Sequence, residues 1–110
     1  MEKRGRPLGS QIRQNIIEIL YIAGKTYGYD LYKSYVSVFP KITLRVVYYH
    51  LKKGVSLKEF KLEKIESEHG DYSWGDRAEK HYYSLGENAK PSGSERVRKY
   101  FEGMKKDRQL

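Results

Sequence analysis

The chain has 110 residues, 22 Lys+Arg against 14 Asp+Glu, a net charge of +8 and no cysteine. That length supports one domain with a modest core, and the missing thiols exclude disulfides and thiolate-ligated metal. No apolar run approaches the ~20 residues of a membrane span, and Met1–Ser10 lacks the apolar centre of a signal peptide; the expected setting is cytoplasmic, on or near the nucleoid, with no membrane partner.

Hydrophobic residues make up 38% of the chain and aromatics 14%, with eleven tyrosines supplying much of the apolar surface. The composition is that of a globular domain. The cationic excess creates a positive field suited to polyanions. Solubility alone is the plain alternative, and the pattern along the chain weighs against it in favour of nucleic acid.

Residues 1–9 form a basic arm holding Arg4-Gly5-Arg6-Pro7, with no apolar periodicity. Ser10 is placed to cap a first helix running to about Ala23. Its Ile12, Ile16, Ile19, Leu20 and Ala23 follow helical spacing, while Ile17 and Ile22 widen the stripe toward a second neighbour. Gly24 supplies the stop. A second helix is expected over Tyr29–Phe39. Leu31, Tyr35 and Val38 share one face, Tyr32, Val36 and Phe39 lie beside it, and Pro40 ends it.

Thr43 caps a third helix. Leu44, Val47, Tyr48 and Leu51 recur at the spacing of a buried face, which turns Arg45, Val46, Tyr49, Lys52 and Lys53 outward; Gly54 is read as its end. Within Glu59–Glu68, Phe60, Leu62 and Ile65 are strand-like, and the slip in alternation between Leu62 and Ile65 predicts a bulge. His69–Arg77, rich in glycine and aspartate, reads as a hairpin tip carrying Trp74. Lys80–Leu85 returns as a strand with His81, Tyr83 and Leu85 on one side and Tyr82 and Ser84 on the other. After a connector over Gly86–Gly93, Ser92 and Glu95 match a capping box. Val97, Tyr100, Phe101 and Met104 then give one stripe on a final helix.

The expected fold class is α+β: a winged helix-turn-helix with a three-helix core, a β-hairpin wing and an additional C-terminal helix. It divides into the arm (1–9), the winged-helix domain (10–86), and the connector with its helix (87–110).

Several segments resemble the PadR-like group of winged-helix transcription regulators. Tyr27-Gly28-Tyr29-Asp30-Leu31 resembles that family's His-Gly-Tyr-Glu-Leu at the start of helix 2. Thr43-Leu44 followed by Leu51 resembles its Thr-Leu-Tyr-Pro-Ala-Leu-x-x-Leu recognition helix, with Val46 and Val47 in place of Pro-Ala. Lys80-His81-Tyr82-Tyr83-Ser84-Leu85 resembles its Arg-Lys-Tyr-Tyr-x-Leu wing strand. Val47-Tyr48-Tyr49-His50-Leu51 also looks like the recognition helix of ArsR-type proteins. The match spans about residues 12–86, and the tail is shorter than the family's usual dimerisation domain. The resemblance implies a transcriptional regulator binding double-stranded DNA in a sequence-specific way.

A helix in the major groove reads bases with outward side chains near its N-terminus. Arg45 is the expected base-reader, since its planar fork can bond guanine twice. Val46 suits a thymine methyl, and Tyr49 a base edge or phosphate. Thr43, Lys52 and Lys53 are expected on phosphates, which position without reading sequence. Arg77 and Lys80 are the wing's expected phosphate partners, while Trp74 suits packing on the hairpin or contact with the backbone. Arg4 and Arg6 flank a glycine as in an AT-hook, a form suited to narrow A·T minor grooves.

The three histidines, His50, His69 and His81, match no metal-ligand spacing. No nucleophile–base pairing or phosphate-binding loop is present, so neither a cofactor nor an enzyme activity is expected. Two other readings of a winged helix remain: an RNA-binding or sequence-indifferent chromosome-coating protein, and a protein-interaction subunit. The stripe Val97, Tyr100, Phe101 and Met104 needs cover, and Ile17 and Ile22 offer it. The expected arrangement is a homodimer through these residues, with the tail folding back on its own first helix as the alternative.

Overall fold

The computed structural model describes the backbone of residues 9–72 and 75–108 and the side chains of residues 11–65 and 80–104. Along the chain run α1 (Gly9–Ala23), β1 (Thr26–Tyr27), α2 (Gly28–Val38), α3 (Leu44–Ser56), β2 (Phe60–Tyr72), β3 (Gly75–Leu85) and α4 (Glu95–Arg108). The strands form one antiparallel sheet in the order β1-β3-β2. The result is a winged helix-turn-helix with a fourth helix.

The helices converge because their apolar faces have one common place to go. Ile16, Ile19 and Leu20 of α1, Leu31 and Tyr35 of α2, and Val47 and Leu51 of α3 meet Phe60, Tyr83 and Val97 in one buried cluster. Their local boundaries follow the sequence. Gly24 adopts φ +77° and donates its N–H to the Leu20 carbonyl at 2.8 Å, closing α1 in the left-handed form that glycine tolerates. Phe39 is extended (φ −118°, ψ 169°), as a residue before proline should be. Thr43 Oγ1 accepts the Val46 N–H at 3.2 Å, satisfying one of the free donors of α3.

Several boundaries differ from the sequence expectation. α1 already includes Gly9 and Ser10, so Ser10 is not its cap. The two-residue strand β1, which no periodicity could announce, pairs Thr26 with Tyr83 and Tyr27 with Tyr82. α3 runs through Gly54 to Ser56. Gly54 is required for close approach instead: a Cβ there would lie 2.1 Å from Phe60 Cδ2. The turn out of α3 falls to Lys58, at φ +63°. The buried face of α3 is Val47, His50, Leu51 and Gly54; Leu44 is half-buried and Tyr48 is 40% exposed.

The junction between α3 and the wing is densely bonded. Leu57, Lys58 and Glu59 donate their N–H groups to the carbonyls of Lys53, Val55 and Gly54, and Gly86 and Asn88 donate theirs to Glu59 and Lys58. In the wing, the register shift between Leu62 and Lys64 leaves Glu63 as the extra residue of the expected bulge. Strand structure then continues further than the turn-rich composition suggests, with His69 opposite Arg77 and Tyr72 opposite Gly75. Trp74 lies outside the described residues.

α4 packs on α1 and α2 of the same chain. Val97 is fully buried and Ile17 is 3% exposed, so neither is free for a second chain, contrary to the dimer surface expected from sequence. The capping residue is Ser94, whose Oγ accepts the Val97 N–H at 3.4 Å, because the helix starts at Glu95 and not two residues earlier.

Ser92 has another task. Its N–H and hydroxyl, together with the N–H of Gly93, donate to the Glu18 carboxylate at 2.9, 3.0 and 2.9 Å, and Gln14 Nε2 donates to it at 2.7 Å. Burial opposes the charge on Glu18, yet these donors hold its carboxyl below the usual value. At the other end of the contact, the Arg96 guanidinium stacks on Phe39, 5.0 Å from the ring centre, and donates to the Val38 carbonyl at 2.7 Å. A cation thus meets the carbonyl end of α2, where it is favourable.

Candidate nucleic-acid interface

α3 is built from Leu44-Arg-Val-Val-Tyr-Tyr-His-Leu-Lys-Lys-Gly-Val-Ser56 and contains no acidic residue. α1, α2 and α4 each contain at least one. Thr43, Arg45, Tyr49, Lys52 and Lys53 are exposed, Tyr49 at 59%, and Val46 is half-buried. Five of the six residues expected of the third helix are thus exposed on α3 or at its cap. Among the described residues, Arg45, Lys52 and Lys53 have no carboxylate within ion-pair distance. Unopposed cations on a fixed helix raise the local positive potential far more than paired ones.

The reverse of α3 is tied down by a polar contact. Arg13 Nε donates to Glu59 Oε1 at 3.0 Å, and an Arg13 terminal nitrogen lies 3.4 Å from His50 Nδ1. One guanidinium therefore joins α1, α3 and the turn just before β2. Burial, followed by the positive charges of Arg13 and Lys53, pushes the His50 imidazole below its ordinary pKa. The Tyr49 ring meets the His50 ring edge-on at 4.9 Å between centres.

In the wing, Lys61 and Lys64 are exposed. The sheet face turned away from the helices carries lysines laid on tyrosines. Lys80 Nζ sits 4.7 Å from the centre of the Tyr27 ring, and Lys64 Nζ 5.5 Å from that of Tyr82. The two rings are 5.7 Å apart. Such contacts steady the ammonium groups. The bulged Glu63 accepts the Ser84 hydroxyl at 2.5 Å, which, with Lys61 and Lys25, lowers its carboxyl pKa. Lys80 belongs to this outer face and not to that of α3. Arg77 lies in β3 opposite His69, and its side chain is outside the described set, as are Arg4 and Arg6.

Between α3 and the wing lies an open cleft of about 590 Å³, lined by Tyr48, Lys52, Val55 and Ser56 on one side and Leu62, His81 and Tyr83 on the other. Sequence reasoning missed it by assigning Tyr48 to the core. The recurrence of 48, 52, 55 and 56 at i, i+4, i+7 and i+8 is the signal that could have revealed this second face. Tyr48 lies so close over the start of α2 that a Cβ on Gly28 would come within 2.4 Å of its Cε1. Burial, with Tyr27 nearby, raises the Tyr48 hydroxyl pKa.

Of the expected dimer residues that are not fully covered, Ile22, Tyr100, Phe101 and Met104 are half-buried. Among the described residues no group of three or more His, Asp or Glu side chains could hold a metal ion, and no described helix is long and apolar enough to cross a membrane.

No protein-family profile matches the chain, and no curated protein matches it. Among solved structures it is similar to a PadR family transcription regulator from hypervirulent Clostridium difficile R20291, with 21% identity, 87% of this chain and 84% of that one covered, and a TM-score of 0.49. It is similar also to a PadR family transcriptional regulator from Eggerthella lenta DSM 2243, with 17% identity, 87% and 78% coverage and a TM-score of 0.42. A transcriptional regulator from Clostridium thermocellum matches with 18% identity, 91% and 86% coverage and a TM-score of 0.42.

Proposed function

We propose that this protein binds duplex DNA and acts as a transcriptional regulator, with α3 in the major groove and the wing on the neighbouring backbone or minor groove. The observation that carries this reading is the acid-free outer face of α3, where Arg45, Tyr49, Lys52 and Lys53 are exposed and the three cations have no ion-pair partner among the described residues. Arg45 reads a base, Val46 and Tyr49 contact base edges, and Thr43, Lys52 and Lys53 hold phosphates. Lys80 and Arg77 serve the wing's backbone contacts. The arm places Arg4 and Arg6 in the minor groove. Two chains pair through the exposed parts of Ile22, Tyr100, Phe101 and Met104, presenting two copies of α3 to a palindromic site.

Equilibrium binding to short duplexes across a salt series tests this. The expected log–log slope is steeper than about −3, because each neutralised phosphate releases counterions; a shallower slope would remove the groove-docked arrangement. Arg45→Ala should flatten discrimination between preferred and random sites by about 1–3 kcal/mol while changing random-site affinity little. An equal loss on all sequences would make Arg45 a phosphate contact only.

A further inference from the structure

The cleft between α3 and the wing has a composition that neither the core nor a solvated surface explains. Lys52, which has no ion-pair partner among the described residues, lines it, and Tyr48 and Leu62 line it while each remaining 40% exposed. Next along β2, Ile65 is 51% exposed. A cation beside large exposed aliphatic and aromatic surface fits a ligand that alternates anionic and apolar parts.

A sugar–phosphate strand has that alternation, with one charge per ~3.4 Å of helix axis and a deoxyribose between charges. Its position also follows from geometry. The major groove and the adjacent minor groove of a duplex are separated by one backbone strand. An element in each groove must therefore leave that strand between them. α3 and the wing hairpin flank a cleft, and the cleft shares Lys52 with the outward face of α3.

We infer that the cleft seats this strand of the duplex, with the Lys52 ammonium on a phosphate and Leu62 against the neighbouring deoxyribose. The inference rests on the DNA-binding reading above and adds to it that one nucleotide is held from both sides, by the helix and by the wing.

The test is a methylphosphonate scan, in which each phosphate of a bound duplex is made neutral in turn, with the full-length wild type, Lys52→Ala and Leu62→Glu. Both changed side chains are exposed, and thermal melting checks that the variants fold. In the wild type, neutralising the seated phosphate should weaken binding on the order of tenfold. Lys52→Ala should erase that penalty at one phosphate. Leu62→Glu should weaken binding to the natural duplex on the order of tenfold, and the loss should shrink at the same phosphate, since the carboxylate then faces no like charge. If Lys52 couples to a phosphate and Leu62 does not, Lys52 is an ordinary contact of α3 and the two-sided seat is overturned. Coupling at different phosphates, or at none, overturns it as well. If the wild type binds no duplex at all, the functional reading itself falls, an outcome the wild-type measurement separates from the others.

Discussion

Gly54 shows how a single absent side chain sets the approach of α3 to the wing. In sequence it reads as a helix stop, since glycine lacks the conformational restriction that favours helix. In the fold it is mid-turn, and Phe60, 2% exposed, occupies the space its Cβ would take. Gly54→Ala should therefore destabilise the protein by roughly 1–3 kcal/mol through overpacking, despite a helix-propensity gain of about 1 kcal/mol. Gly103 in α4 is the control: it is exposed, with nothing within 4 Å of the place a methyl group would take. Gly103→Ala should stabilise by about 0.5–1 kcal/mol. Urea unfolding of both variants decides the matter; a stabilised Gly54→Ala protein would show that Phe60 moves aside freely. The contact is between α3 and β2, which is why no reading of local sequence could supply it. The outward residues were easier to recognise. Arg45, Tyr49 and Lys52 follow from helical spacing once Thr43 fixes the start.

At the scale of elements, the connector before α4 is held by one buried carboxylate. Glu18 is 5% exposed, and its hydrogen bonds lower its folded pKa below the ordinary carboxyl value. A group whose folded pKa is depressed contributes stability above the unfolded value, about 4.3 for Glu, and loses it as pH falls through the folded value. Glu18→Gln keeps the shape but faces an amide nitrogen toward donors, and should cost about 1–3 kcal/mol at pH 7. Measured by urea unfolding between pH 7 and pH 3, the wild-type and variant stabilities should converge toward the acid end. A constant gap across that range would mean that the ionised form contributes nothing special. The sequence pointed to Ser92 as a cap because its spacing to Glu95 fits, but spacing cannot reveal a competing acceptor 74 residues away in the chain. β1 escaped notice for a similar reason. Its two residues become a strand only by pairing with β3.

For the whole molecule, the question is what the remaining face of α4 meets. With Val97 inside its own chain, a two-fold contact would be made by Tyr100, Met104 and the exposed parts of Phe101 and Ile22. Each large apolar side chain newly buried contributes roughly 1.5–3 kcal/mol. Sedimentation equilibrium at tens of micromolar should show a dimer, and Tyr100→Glu with Met104→Glu should leave a folded monomer with an unchanged circular dichroism spectrum. A wild-type monomer under those conditions would remove the dimer. The order of elements and the core were legible because apolar period, stop residues and caps agreed: Gly24, Pro40 and Thr43 each sit at a real boundary. The wing's length was not, since glycine and aspartate ordinarily interrupt strands, and here cross-strand pairing carries the backbone past them.

The bonded junction at Lys58 has a mechanical consequence. Five backbone hydrogen bonds of 2.8 to 3.1 Å run through the end of α3, the turn at Lys58 and the base of the wing, and Asn88 Nδ2 adds a sixth to the Leu57 carbonyl at 2.9 Å. In the proposed complex the helix and the hairpin would act as two jaws joined at that base. A duplex held between them would meet their opening by changing its own groove width, and the work of doing so differs among base steps. Selection among sequences would then extend to base pairs that no side chain touches, through the stiffness of the DNA against a protein that does not yield.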